Sequence, residues 1–429
     1  MPTSVESNGD LHSALIAATQ TRLQYWADAL VSLGPFAAIL AAYGLFLDHT
    51  PESWFPVKPV DYLFSGVCAL LVGIALRLVG KRLLVRRVKL PTSPPTVPSK
   101  SESVSAILSG TRSQLLKDIR TISNEGECIT GWSQYFSDPV WPTAIGTSYG
   151  LRLVNSLDVY DAKVDRTSLR ESLLALQKPG GGWAASSQRD TARPEVTAWV
   201  LSVASRVGLG SDTRAELVSK LESMLDPAKD AVGLNSTTVV STVIVTLAEL
   251  APSSQRIVEL VDRLIEGAQD DEKDGTVAWG KTFSSRSQRS VPHTARAIVA
   301  LSRVAAASPR SVAVSDTIRA ANRWLCAPSD QNEFAKRLGN EEEQIRRPMK
   351  AGQADVLIVG HFAAAWVARA LLATGDGTSD IFIRTAVKLV QQQQKMGIWR
   401  WGDSEPVWMT YQGAAALKEY LLRGLGWPP

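Results

Sequence analysis

The chain has 429 residues, more than one ordinary domain needs, so one large core with a smaller appended segment is expected. Its formal net charge of +4 sits mainly in one short basic stretch rather than on a face, which argues against nucleic acid as a partner. Three scattered cysteines, Cys68, Cys128 and Cys326, exclude a disulfide framework and a paired-cysteine metal site.

Residues 1–22 are polar and read as a mobile N-terminus. Residues 23–89 then hold two apolar stretches, about 30–47 and 62–80, with Arg77 the only charge in either. Each is long enough to cross a hydrocarbon layer of about 30 Å. Tyr25, Trp26, Trp54, Phe55 and Tyr62 flank them as interface residues, and the run from Lys81 to Lys89 carries five positive charges and no negative one. The expectation is a two-helix transmembrane hairpin with the N-terminus and the rest of the chain on the cytoplasmic side, as in a bacterial inner membrane. Gly66, Ala69 and Gly73 offer a small-residue packing stripe for self-association, so a homo-oligomer or a protein partner is expected. Residues 90–104, rich in Pro and Ser, read as an extended tether.

From residue 105 to 429 the apolar residues recur at spacings of three and four, as in Leu169–Leu176, Thr238–Leu250, Ala295–Val304 and Phe362–Leu372. No alternating run suggests a strand. Six units are predicted from inner-type helices starting near Trp141-Pro142-Thr143, Pro194, Ser236-Thr237, Pro292, Val356–His361 and Pro406. Proline suits a first helical turn because its missing N–H has no partner there. Residues 330–350 are densely charged and read as a solvated insertion that could contact a partner.

Two units share one pattern. Leu173, Gln177, Gly181 and Trp183 precede Pro194-Glu195-Val196-Thr197-Ala198. Leu389, Gln393, Gly397 and Trp399 precede Pro406 and Thr410. This resembles the QW repeat of the squalene cyclase and protein prenyltransferase superfamily, and the following P-x-x-T-A resembles the start of that superfamily's inner helices. The resemblance implies an all-α fold, an α/α toroid of about six helical hairpins around a central cavity. It also implies that Gln177, Trp183, Gln393 and Trp399 are structural.

The superfamily's chemistry is not carried over with its scaffold. The cyclases protonate substrate with the middle Asp of an Asp-x-Asp-Asp-Thr-Ala motif; here Arg193-Pro194-Glu195-Val196-Thr197-Ala198 stands in that place. Glu195 is the candidate acid, but both flanking acids are missing. The prenyltransferase Asp-x-Cys zinc pair is absent, Cys326 and His361 do not replace it, and no metal or other cofactor is expected. His293, Arg296 and His361, near helix starts, are candidate anion or headgroup contacts. Trp199, Trp366 and Trp408 are candidate cavity aromatics. The resulting expectation is a membrane-anchored, non-catalytic binding or sensing protein, such as a bacterial defence or stress effector, with a lipid or isoprenoid ligand. The competing expectation is a divergent terpenoid cyclase or prenyltransferase acting on a membrane-derived isoprenoid.

Overall fold

The computed structural model describes residues 103–124, 127–136, 141–186, 191–228, 230–305, 311–328, 330–349, 354–374 and 380–423. The chain divides into two units, Met1–Ser99 and Lys100–Pro429, and every described residue belongs to the second.

Thirteen helices are described: α1 (Val104–Asp118), α2 (Ala144–Ser156), α3 (Arg166–Ala175), α4 (Pro194–Ala204), α5 (Ser211–Met224), α6 (Thr237–Leu250), α7 (Gln255–Glu266), α8 (Val291–Val304), α9 (Ser311–Leu325), α10 (Gln331–Arg337), α11 (Ala363–Thr374), α12 (Asp380–Gln392) and α13 (Val407–Leu422). Six of them form a closed inner ring, because α2 packs on α4, α4 on α6, α6 on α8, α8 on α11, α11 on α13, and α13 back on α2. The rest, apart from the short α10, lie outside, one beside each inner neighbour. The sequence explains the two layers. All eleven residues of α4 are buried, as an inner helix covered on every side requires. In α7 only Ile257, Leu260, Val261 and Leu264 are buried, the single stripe of an outer helix.

The joints between outer and inner helices repeat one device four times. The indole N–H of Trp132, Trp183, Trp279 and Trp399 donates to a carbonyl near the end of the preceding outer helix: Leu115, Leu173, Leu264 and Val390, at 2.7–2.8 Å. The backbone N–H of each tryptophan donates to the hydroxyl of a threonine in the following inner helix: Thr147, Thr197, Thr294 and Thr410. All four tryptophans are buried. The helix-end carbonyl, which lacks an intrahelical donor, is thereby satisfied. In the first unit the joint threonine is Thr147, while Thr143 caps α2 by accepting from the Gly146 N–H. The tryptophans make the helix-end bond, while Gln393 is exposed and its neighbour Gln394 accepts from the Gly397 N–H.

Ring closure joins the first unit to the last. Phe136 N–H donates to Glu405 O and Val407 N–H to Gln134 O. Gly397, at φ +78°, lies so close to α1 that a Cβ there would come within 2.3 Å of Ile107 O. Its own carbonyl accepts from the Thr111 hydroxyl at 2.6 Å.

Four antiparallel two-stranded pairs decorate the ring: β1 (Arg120–Asn124) with β2 (Glu127–Gly131), β3 (Gln269–Asp271) with β4 (Thr276–Ala278), β5 (Glu341–Pro348) with β6 (Ala354–His361), and β7 (Gln394–Lys395) with β8 (Ile398–Trp399). The β5–β6 hairpin overturns two sequence expectations. The fifth inner helix starts at Ala363, not within 356–361, and the charged insertion is not simply solvated. Phe334 of α10 is buried against Phe382, with ring centroids 4.9 Å apart. Along β5, Glu343 and Ile345 are buried and Arg347 half-buried while their neighbours are more exposed. The strand period is present, but two of the three inward positions carry charge, so hydropathy does not reveal it.

The predicted transmembrane hairpin, its flanks and the tether lie outside the described residues. Among the described residues no helix is long and apolar enough to cross a membrane. The expectation of an integral membrane protein, and of the bilayer as its partner and location, therefore finds no support in the structure and is withdrawn.

Candidate functional site

The β5–β6 hairpin lies against the N-terminal ends of α4, α6 and α8 and is held there by buried polar groups. Arg193, just before α4, is fully buried. It bonds Glu195 Oε1 at 2.8 Å, Asp355 Oδ2 of β6 at 3.1 Å and the Ile345 carbonyl of β5 at 2.9 Å. Arg347 of β5 grips Glu195 through both carboxylate oxygens, at 2.8 and 3.0 Å, and Asp230 through both of its own, at 3.0 and 2.7 Å. The two carboxylates hold the Arg347 guanidinium's pKa above its ordinary value, against the opposing effect of burial.

Beside this network Glu343 is buried with His293 and His361. Glu343 Oε2 lies 3.1 Å from His293 Nε2 and 3.2 Å from His361 Nε2, and accepts from the Thr238 hydroxyl at 2.6 Å. Burial pushes the Glu343 carboxyl up, but the bonds from the two imidazoles outweigh it and hold the group well below the usual carboxylate range. Burial pushes His361 down to about 3, with nearby Arg296 and His293 acting in the same direction.

By residue type His293, Glu343 and His361 could ligate a metal, since one ligand atom from each lies within 4.8 Å of the others. The hydrogen bonds argue for a different role. Arg296 donates Nε–H to His361 Nδ1 at 3.2 Å. An arginine cannot accept a proton, so His361 carries its own on Nε2 and donates it to Glu343. The nitrogen a metal would need is thus occupied, and the triad is a hydrogen-bonded latch on the hairpin.

The ring encloses a cavity of about 520 Å³ toward the C-terminal ends of the inner helices. Five arginines line it, Arg152, Arg206, Arg296, Arg303 and Arg369, against two glutamates, Glu249 and Glu419. Both glutamates are engaged: Glu249 takes two bonds from Arg206, at 2.6 and 2.8 Å, and Glu419 is held by Arg369 at 2.9–3.1 Å. Arg296 differs from Arg369, the other buried arginine of this lining. It is only 4 % exposed, and among the described residues it makes no ion pair. Its guanidinium stacks 4.0 Å from the Trp366 ring centroid. Burial lowers its pKa to about 10, with Tyr149 and Glu343 partly opposing, so it remains charged at neutral pH.

Two tyrosines share the cavity wall, ring centroids 5.6 Å apart. Burial raises the Tyr149 phenol, despite Arg296 and Arg152. Burial also pushes Tyr411 upward, but Arg369 and Arg152 outweigh it and leave its phenol below the ordinary value. Three buried polar atoms of lining residues have no hydrogen-bond partner: Arg152 Nε, Ser241 Oγ and Trp366 Nε1.

A second cavity of about 440 Å³ lies beside β6 and is lined by Tyr135, Trp401 and Trp408. Tyr149, Trp199 and Gln412 line both cavities. The sequence candidates are thus dispersed. Trp199, Trp366 and Arg296 reach the central cavity, Trp408 the second one, and His293 and His361 the latch. Glu195 is held by two guanidiniums, those of Arg193 and Arg347, in the hairpin anchor and lines neither cavity. Sequence reading passed over Arg152, Arg369, Tyr149 and Tyr411. A signal was available, because Arg152 and Arg369 are charged residues within inner-type helices, and Tyr149/Arg152 and Trp366/Arg369 are spaced by three.

No protein-family model matches the chain, and no curated protein matches it. Solved structures do. A glycoside hydrolase family 76 mannosidase from Bacteroides thetaiotaomicron VPI-5482 matches with 8 % identity over 75 % of this chain and 98 % of its own, at a TM-score of 0.43. A family 76 glycoside hydrolase from a bovine Bacteroides thetaiotaomicron strain matches with 10 % identity over 75 % and 77 %, at a TM-score of 0.44. Neither is a terpenoid cyclase or a prenyltransferase. The superfamily resemblance drawn from the QW motif is therefore corrected, together with the isoprenoid-binding and cyclase functions it implied. The physical reason lies in the joints: the motif encodes how an outer helix meets an inner one, a requirement of a helical ring and not of one chemistry.

Proposed function

We propose that the central cavity takes up an anionic, hydroxyl-bearing small molecule. The observation that carries this reading is Arg296, a buried cation that stacks on Trp366, lines the cavity and has no carboxylate of its own. The nearest carboxylate, Glu343, reaches Arg296 only through His361, and a buried charge without a counter-ion in direct contact is costly, so a ligand anion in the cavity would supply one. Arg152 Nε, Trp366 Nε1 and Ser241 Oγ are further groups that a bound polar molecule would satisfy. The excess of arginine over glutamate in the lining favours a negative ligand from a distance as well.

The two structural neighbours are glycoside hydrolases, one of them a mannosidase. Such hydrolysis commonly takes one carboxyl group to protonate the leaving oxygen and a second carboxylate beside it. In this cavity Glu249 and Glu419 are each held by an arginine, so no pair of free carboxyl groups faces the lumen. Anion binding is the reading that the lining favours.

Thermal unfolding of the full chain at matched ionic strength tests it, with glucuronate as the anionic probe and glucose as the neutral one. Glucuronate raises the Tm and glucose does not, and the rise disappears in Arg296→Gln. An equal glucuronate effect in the variant contradicts the assignment.

A further inference from the structure

The second cavity adjoins the anion site proposed above and differs from it in chemistry. Among the described residues no arginine or lysine lines it, and its two acids are Glu342 and Asp355. Much of the remaining wall is aromatic, with Tyr135 and Trp408 edge to face at 5.2 Å between ring centroids. The two cavities meet at Tyr149, Trp199 and Gln412, which line both. Gln412 is 1 % exposed, and its side-chain oxygen accepts from the Phe362 N–H at 3.1 Å. A backbone N–H can only donate, so the orientation of this amide is settled and its NH2 end remains for a ligand. Two consecutive residues of β6 tie the compartments together. His361 accepts from Arg296 of the anion site. Gly360 lies against the indoles of the second cavity, where an added Cβ would come within 3.2 Å of Trp401 and 3.3 Å of Trp408.

We infer that the two cavities form one bipartite site for an aryl glucuronide, a sugar acid whose carboxylate pairs with Arg296 and whose flat aromatic group enters the second cavity against Trp401 and Trp408. Each part of such a molecule meets a matching wall. The arginine-rich lining takes the carboxylate, and Ser202, Thr242 and Thr246 suit the sugar hydroxyls. The Gln412 amide, at the junction, donates to a sugar oxygen between the carboxylate and the aromatic group. The aromatic group leaves water for an apolar wall and gains ring-to-ring contact with the indoles. The opposite orientation is disfavoured, because the carboxylate would then lie beside Glu342 and Asp355 and the apolar ring among arginines. Volumes of about 520 and 440 Å³ are each in the range of small-molecule sites. Glycine at 360 keeps free the space that faces the two indoles.

This inference rests on the anion site, and the test separates the two. Calorimetric titration of the full chain compares phenyl glucuronide with methyl glucuronide, which share the sugar acid and differ only in the aromatic group. The wild type binds phenyl glucuronide tighter by roughly 10-fold or more. In Trp408→Ala the two ligands bind alike. Gly360→Ala, which adds one methyl group in front of the indoles and removes no side chain, also loses the advantage. Arg296→Gln loses both ligands. Equal affinities in the wild type, or an advantage retained in either cavity variant, overturn the bipartite site; if methyl glucuronide still requires Arg296, the anion site stands. Binding of neither ligand by the wild type, or undiminished binding of either by Arg296→Gln, overturns the anion site and the bipartite site with it.

Discussion

The Arg296 guanidinium lies 4.0 Å from the ring centroid of Trp366, and these two residues come from adjacent inner helices, α8 and α11. The stack orients a cation that touches no carboxylate directly, Glu343 acting on it only through His361. Arg296→Gln removes a costly buried charge but also the donor to His361 in the latch, and the two effects offset, so the unfolding free energy is expected to change by no more than about 1 kcal/mol in either direction. Urea titration without ligand measures it. A large loss would mean that Arg296 serves the fold.

The joint tryptophans behave oppositely. Trp183→Phe keeps most of the apolar area but leaves the Leu173 carbonyl without its indole donor. The expected cost is ~1–3 kcal/mol, from an unsatisfied buried acceptor. Trp183→Ala adds a cavity and should cost ~3–5 kcal/mol. Both are read from denaturant midpoints at unchanged slope.

The hairpin anchor is the third case. Glu195→Gln removes the carboxylate shared by Arg193 and Arg347, whose bonds to it are 2.8–3.0 Å long. Breaking one side of a buried ion-pair network should cost ~3–5 kcal/mol. Proteolysis should then cut within the β5–β6 hairpin before the helical ring. A variant as stable and as resistant as the wild type would contradict the anchor.

These three sites also show what was legible in the sequence. The helical ring was readable because its joints use residues with few substitutes: a tryptophan that both fills space and donates, and a threonine at a helix start. The hairpin was not, since its inward-facing Glu343 and Arg347 look solvated until their partners are known. Those partners are far away in sequence; Thr238 and Glu343 are 105 residues apart, and Glu195 and Arg347 are 152 apart. The cavity was half legible. Its tryptophans and Arg296 stood out, but the coupling of Tyr149 and Tyr411 exists only once α2 meets α13 to close the ring.

Acid should release the latch. His361 titrates at 6.5 in an unfolded chain and at about 3 in the fold, because burial disfavours its charged form. The unfolded state therefore binds the proton first, and the stability present above pH 6.5 falls as pH drops toward 3. Glu343, also depressed by its imidazole partners, adds loss in the same direction below its ordinary value of 4.5. One proton gives a slope of about 1.4 kcal/mol per pH unit. Unfolding free energies measured from pH 7 to 4 should show that slope in the wild type and a shallower one in His361→Gln. Parallel slopes would contradict the neutral His361.

The central claim is that an anion belongs on Arg296 in the ring cavity. Purified full chain can be denatured and its released small molecules compared with those from Arg296→Gln by negative-ion mass spectrometry. The account predicts an organic anion released in stoichiometric amount by the wild type and absent from the variant. The same anion at the same level in both, or none from the wild type, would contradict it.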